Sequence, residues 1–252
     1  MLGVYLTYYG VTYTSLPWWL VFILAPLLTG FIGILLERVA YKPLRGSARI
    51  TILISAIGAS FLLQNLGIVI FGGRPRAFPV PQMLNHVIRL GGVSINVVTF
   101  IIPAVTIVLL LGLTYFTTKT KTGLAMRALS KDYETASLMG IDINKIISIT
   151  FLMGSFLAAI GGILWGSRYP QLMPLMGSMP GLKSFIAAVV GGIGNITGAV
   201  VGGFILGLGE IMLVAFLPRL SGYRDAFAFV LLIIILLVKP SGLMGDNVTE
   251  KV

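Results

Sequence analysis

Glu210 is the one acidic residue set well inside an apolar run, FILGLGEIMLVAF. A carboxylate within hydrocarbon is costly and marks a functional hypothesis by default. Its role is either in a transport path or at the outer interface, since it lies about two turns from Pro218 and within reach of Arg219. Gln64 and Asn65 are adjacent amides inside another apolar run, where hydrocarbon would leave them unsatisfied. They are expected to face protein or a water-filled path, either bonding between helices or contacting a substrate. At 191–197 the segment GGIGNIT brings Gly192, Gly194, Asn195 and Thr197 together as a candidate helix break lining a pathway. It is not a nucleotide fingerprint, because it lacks the lysine of G-x-x-x-x-G-K-[ST] and the strand-to-helix setting. No Ser/His, His/Glu or paired-carboxylate arrangement occurs within the apolar runs, which argues against a membrane enzyme. One histidine, His86, and no cysteine exclude a His-based metal centre, thiol chemistry and disulfides within the chain.

The longest polar interval between apolar runs is Thr117–Ile146, TTKTKTGLAMRALSKDYETASLMGIDINKI. It carries Lys119, Lys121, Arg127, Lys131 and Lys145, with Asp132, Glu134 and Asp142 among them. Leu124, Ala125, Ala128, Leu129, Ala136 and Met139 recur at spacings of three and four, which predicts one short amphipathic helix over Gly123–Gly140. Gly140 and Asp142 end it. Such a helix between two membrane spans is either a docking surface for a cytoplasmic partner or a solvated connector resting on the headgroups.

These residues must be positioned by membrane spans. Of 252 residues, 57% are hydrophobic and 10% charged, and the mean hydropathy is +0.99. Soluble domains carry about 25% charged residues. The net charge of +10 is concentrated in short loops between apolar runs, a positive-inside distribution rather than a nucleic-acid face. Spans are predicted at 16–36, 50–71, 97–116 and 146–165, with a last one at 226–238. The loop with Arg38, Lys42, Arg45 and Arg49 reads as cytoplasmic, and the loop 72–96, with Arg74, Arg76, His86 and Arg89, as external. Gly161, Gly162 and Gly166 thin the outer half of the 146–165 span and permit close helix approach. The interval 182–217 must go in and come back if 226–238 ends inside at Lys239, which again requires a break near Gly191–Thr197. Gly194, Gly198 and Gly202, and Gly203 and Gly207, are spaced for tight helix contact. The fold class is all-α: a polytopic transmembrane helical bundle with a broken or re-entrant helix near 191–197, in one domain over 1–252. Residues 1–11 are apolar but too short to span, which takes about 20 residues, and they lack signal-peptide features.

Glu134-Thr135-Ala136-Ser137-Leu138-Met139-Gly140 resembles the E-A-A-x-x-x-G loop of ABC importer permeases, with Thr135 in place of the first alanine. With TGLAMRALSKDYETASLMGIDINKIISITF, GLKSFIAAVVGGIGNITGAVVGGFILGLGE and the final KPSGLMG, the chain is similar to the permease subunit of branched-chain amino acid ABC importers of the high-affinity leucine/isoleucine/valine type. The resemblance runs along the whole chain. Family members have a complete helix before the point where this sequence begins, so an N-terminally shortened product is expected.

The resemblance implies a second related permease, two cytoplasmic ATPase subunits and an extracytoplasmic substrate-binding protein as partners, besides membrane lipid and without nucleic acid. ATP would be bound by partner subunits, leaving this chain no cofactor and no enzymatic role. It would sit as a multi-pass protein in the inner membrane with a cytoplasmic C-terminus. Arg127, Lys131, Glu134, Ala136 and Gly140 are the expected ATPase-coupling residues: Lys131 and Glu134 through charge-assisted contacts, Ala136 through a close-packed one, Gly140 through the turn. The alternative is a stand-alone channel or secondary transporter centred on Glu210 and the GGIGN break. The substrate, among leucine, isoleucine and valine, urea or other small amides and amino acids, is left open.

Overall fold

A computed structural model describes residues 1–14, 16–81, 87–90 and 93–245; His86 lies outside the described residues. The chain forms two units, divided at Met176 and Gly177. Among the described residues, six helices are long and apolar enough to cross a membrane.

In the first unit, α1 (Leu2–Tyr13) packs on α2 (Trp18–Leu36) and on α7 (Ile143–Arg168). Pairing of α2 with α7 is the most extensive contact. It is close because Gly30 and Gly33 face α7: a methyl group on Gly33 would overlap the Ser155 side chain. Of the three glycines expected to thin α7, Gly162 and Gly166 face Val4 of α1, while Gly161 meets no neighbour. α3 (Arg49–Phe71) and α4 (Val98–Lys119) complete the spans. Beyond α3 and α7, the all-α expectation is modified by small sheets. β1 (Arg76–Ala77) pairs antiparallel with β4 (Gln171–Leu172), and β2 (Val87–Leu90) with β3 (Val93–Asn96). Val4, Tyr5, Phe78, Ile163 and Leu172 form the buried cluster beneath β1 and β4. Tyr5 stacks on Phe71 at 4.3 Å between centroids, and Arg76 donates to the Tyr9 hydroxyl and the Phe71 carbonyl.

These cross-links order the loops. The β1–β4 ladder holds the loops after α3 and α7 on one side. Arg45, just past α2, donates to Asn144 Oδ1 at the start of α7 at 2.5 Å, so the loops after α2 and α4 share the other. That is the alternation expected from counting spans.

The single helix expected over 123–140 is instead two, α5 (Lys121–Lys131) and α6 (Tyr133–Leu138). Asp132 is extended between them and its carboxylate accepts from the Glu134 and Thr135 amides, capping α6. A side chain that offers the backbone a better partner at a new helix start breaks the periodicity that apolar spacing alone suggests.

The second unit holds α8 (Ser178–Gly191), α9 (Ile196–Phe216), a 3-10 turn over Pro218–Tyr223 and α10 (Arg224–Val238). The helix break lies where the glycines put it. α8 and α9 pack closely, since a Cβ at Gly198 would meet the Gly191 carbonyl and one at Gly202 the Ala187 carbonyl. Of the other spaced glycines, Gly203 lies at van der Waals distance from Ala187, while Gly194 and Gly207 contact nothing there.

Candidate functional site: the cytoplasmic-type loop, its buried ion pair and the helix break

α5 is folded hard against the end of α4: Thr120 caps it by accepting from the Gly123 amide at 3.0 Å, and any side chain at Gly123 would run into the Thr117 backbone. α6 ends in a Schellman arrangement, Ile141 N–H to the Ala136 carbonyl at 3.2 Å and Gly140 N–H to that of Ser137 at 3.0 Å. This needs the left-handed φ of +78° that Gly140 has, a conformation costly to residues with a Cβ. Asp142 then caps α7 by accepting from the Lys145 amide. The loop is therefore a fixed projection rather than a tether.

The expected apolar face divides. Ala136 is 4% exposed and seats α6 against its own chain, whereas Leu138 is 87% and Met139 78% exposed. Arg127 reaches the Thr118 carbonyl at 3.4 Å; Lys131 and Glu134 are exposed. The outward apolar pair Leu138–Met139, with half-exposed Tyr133, was not separable from the seating residue by periodicity. Asp132 is held below its ordinary pKa by the Thr135 hydroxyl first, then by the Thr135 and Glu134 amides.

At the end of α2 lies a feature that residue types alone do not reveal. Glu37 is fully buried. A π-turn over Glu37–Tyr41 continues α2 and directs the carboxylate into the seam with α7. There it pairs with Arg45 and accepts from Ser148 Oγ at 2.8 Å. Arg45 thereby joins the end of α2 to the start of α7 through both Glu37 and Asn144.

In the second unit, Gly192 and Gly194 take φ of +113° and +94° and Asn195 caps α9 by accepting from the Gly198 amide. Thr197 is exposed. The carbonyls that end α8 are not left to a cavity. Leu243 N–H donates to Val190 and Met244 N–H to Gly191, each at 2.9 Å, while Asn195 Nδ2 donates to the Met244 carbonyl at 3.0 Å. The KPSGLMG segment is thus a clasp on the break: a Cβ on Gly242 would run into the Gly192 backbone, and one on Gly192 into that of Gly245.

Glu210 pairs with Lys183 of α8 at 2.9 Å rather than with Arg219, and Lys183 also meets Asp225 at 2.8 Å. The signal was available: Lys183 is the one basic residue between Arg168 and Arg219. Asn195 caps the start of α9 and Glu210 lies in its second half, about 22 Å away along the axis at 1.5 Å per residue. The break and the carboxylate are therefore two loci, not one. Gln64 bonds Ser60 Oγ and Asn65 the Phe61 carbonyl, at 3.0 and 2.8 Å. Each thus makes its one bond within α3, through its NH2 group, rather than across helices. An apolar cavity of about 370 Å³ lies among Trp18, Phe22, Val98, Ile101, Ile163 and Leu164. Among the described residues, no group of metal-ligating side chains occurs.

A family model described as "Branched-chain amino acid transport system / permease component" matches residues 1–236. The chain is 41% identical to the high-affinity branched-chain amino acid transport system permease protein LivH of Salmonella typhimurium, over 92% of this chain and 75% of that protein. It is 38% identical to the corresponding permease protein BraD of Pseudomonas aeruginosa, over 100% of this chain and 85% of that one. Against LivH of Escherichia coli K12 it is 42% identical, over 86% and 71%. No solved structure matches. With its spans, its rigid interspan projection and its clasped helix break, this multi-pass membrane protein belongs to the family of permease components of branched-chain amino acid transport systems.

Proposed function

We propose that the chain is the translocating subunit of an ABC importer for branched-chain or related amino acids, driven by ATPase subunits that seat on α5–α6. The observation that carries this is the exposure of Leu138 and Met139 on a doubly capped projection. A carrier working alone has no use for an apolar surface held out rigidly between two spans; a partner groove does. On this reading Arg127, Lys131 and Glu134 surround the apolar contact, Ala136 fixes its base and Gly140 its exit angle. A force on α6 passes through Asn144 and Arg45 to α2 and through Asp142 to α7, so the ATPase can bias the two states of the bundle by touching them differently. The family relatives' names and the apolar cavity favour aliphatic amino acids, with a second permease, two ATPases and an extracytoplasmic binding protein completing the assembly in the inner membrane and the C-terminus inside. Gln64, Asn65, the 192–197 break and Glu210 are the proposed pathway and gating positions.

The test is co-purification of a tagged chain followed by reconstitution. ATP-dependent leucine uptake that needs an ATPase partner is expected. A chain that emerges alone and transports without ATP overturns the reading in favour of a secondary transporter.

A further inference from the structure

A cavity of about 550 Å³ opens at the π-turn that ends α2, lined by Glu37, Arg38, Lys42, Arg45, Asp142, Asn144 and Lys145, among others. Four of these are cations and two are carboxylates. The carboxylates are committed elsewhere: Glu37 to Arg45 and Ser148, Asp142 to the α7 cap. Arg38, Lys42 and Lys145 have no carboxylate within ion-pair distance among the described residues, and all three are exposed. The wall is thus a fork of three free cations around a fixed, neutralised base, suited to a phosphate. Toward the same end of α2, Leu27, Phe31 and Leu35 recur every four residues with exposures of 41%, 61% and 62%, and Val39 in the π-turn beyond them is 70% exposed. An apolar stripe running along a span into a basic pocket at the span's end matches the two halves of a phospholipid, and basic pockets at helix ends on the cytoplasmic side are where anionic headgroups bind.

We propose that this pocket holds the phosphate headgroup of an anionic phospholipid, with an acyl chain along the outward stripe of α2. Placing it in the cytoplasmic leaflet rests on the orientation given under Proposed function; the phosphate chemistry does not. Because Arg45 and Asn144 line the same pocket and tie the end of α2 to the start of α7, with Asp142 of the segment after α6 also in the lining, an occupied pocket would brace the connection through which α6 is expected to act.

The test is native mass spectrometry of the delipidated complex offered phosphatidylglycerol and phosphatidylcholine of equal chain length. Preference for phosphatidylglycerol should fall about fivefold for each of Arg38→Gln, Lys42→Gln and Lys145→Gln, and on the order of a hundredfold for all three. Leu35→Ser with Val39→Ser should weaken phosphatidylglycerol without altering competition by inorganic phosphate. An unchanged preference in the single and triple variants overturns the site. Equal binding of the two lipids with tight inorganic phosphate would show a free-anion site instead. Binding by the isolated chain that disappears in the complex would assign the pocket to a protein partner. Each readout is a binding measurement, so it stands or falls separately from ATP-driven uptake.

Discussion

Removing the partner of the buried Glu37 carboxylate should be the most damaging single change at the loop's base. Arg45→Met strands a fully buried carboxylate with only the Ser148 hydroxyl; breaking a buried pair from one side costs about 3–5 kcal/mol. Glu37→Gln is milder, about 1–2 kcal/mol, because the amide oxygen still accepts while charge assistance is lost and the Arg45 side chain, 18% exposed, can turn toward water. The double variant should cost less than the sum, with a coupling on the order of 2 kcal/mol. At about 2–4 °C per kcal/mol for a chain of this size, Arg45→Met lowers the melting temperature by about 6–12 °C or more, and Glu37→Gln by a few degrees. Fluorescence-detected thermal unfolding of the detergent-solubilised protein, run on all four combinations, gives the cycle. If the two single variants melt alike, or their effects simply add, the carboxylate is not sealed in the α2–α7 seam as described.

Gly140→Val forces a β-branched residue to φ +78° and should cost about 1–3 kcal/mol of local strain; membrane insertion persists while ATP hydrolysis uncouples from uptake in proteoliposomes, and coupled uptake would count against the turn's role. Leu138→Asp is expected to abolish ATPase co-purification yet leave the melting temperature within a degree or so, because the side chain is 87% exposed and surface changes are within about 0.5 kcal/mol. Asp132's depressed pKa means its cap contributes above the unfolded carboxylate's value and is lost as pH falls through the lower folded one; the protection of the Glu134 and Thr135 amides against hydrogen exchange, taken relative to the intrinsic rate at each pH, should therefore fall on acidification below about pH 4, and already at neutral pH in Asp132→Ala. Lys183→Met should impair uptake and stability more than Glu210→Gln, since it strands two carboxylates where the other leaves the Lys183–Asp225 pair intact; the reverse order would indicate that Glu210 acts apart from that network.

Composition and hydropathy determined that this is a multi-pass helical protein, because hydrocarbon leaves helices as the way to satisfy the backbone of a span. The glycine-rich 191–197 segment announced the break between α8 and α9 for the same local reason: Gly192 and Gly194 reach positive φ without strain, and Asn195 starts a helix well. The polar stretch after α4, with its motif, identified the projecting loop. What packs against what was decided only in three dimensions. Apolar periodicity grouped Ala136 with Met139, but α6 ends at Leu138, so Met139 falls in the cap and faces outward while Ala136 is buried. Glu37 reads as an interfacial charge because a π-turn, which shifts the register by a residue, has no signature in residue type. Glu210 had two cations within plausible reach along the chain, and the α8–α9 hairpin chose Lys183. That KPSGLMG closes the open carbonyls of α8, some fifty residues earlier, depends on backbone hydrogen bonds between distant segments. Sequence spacing carries no record of such contacts.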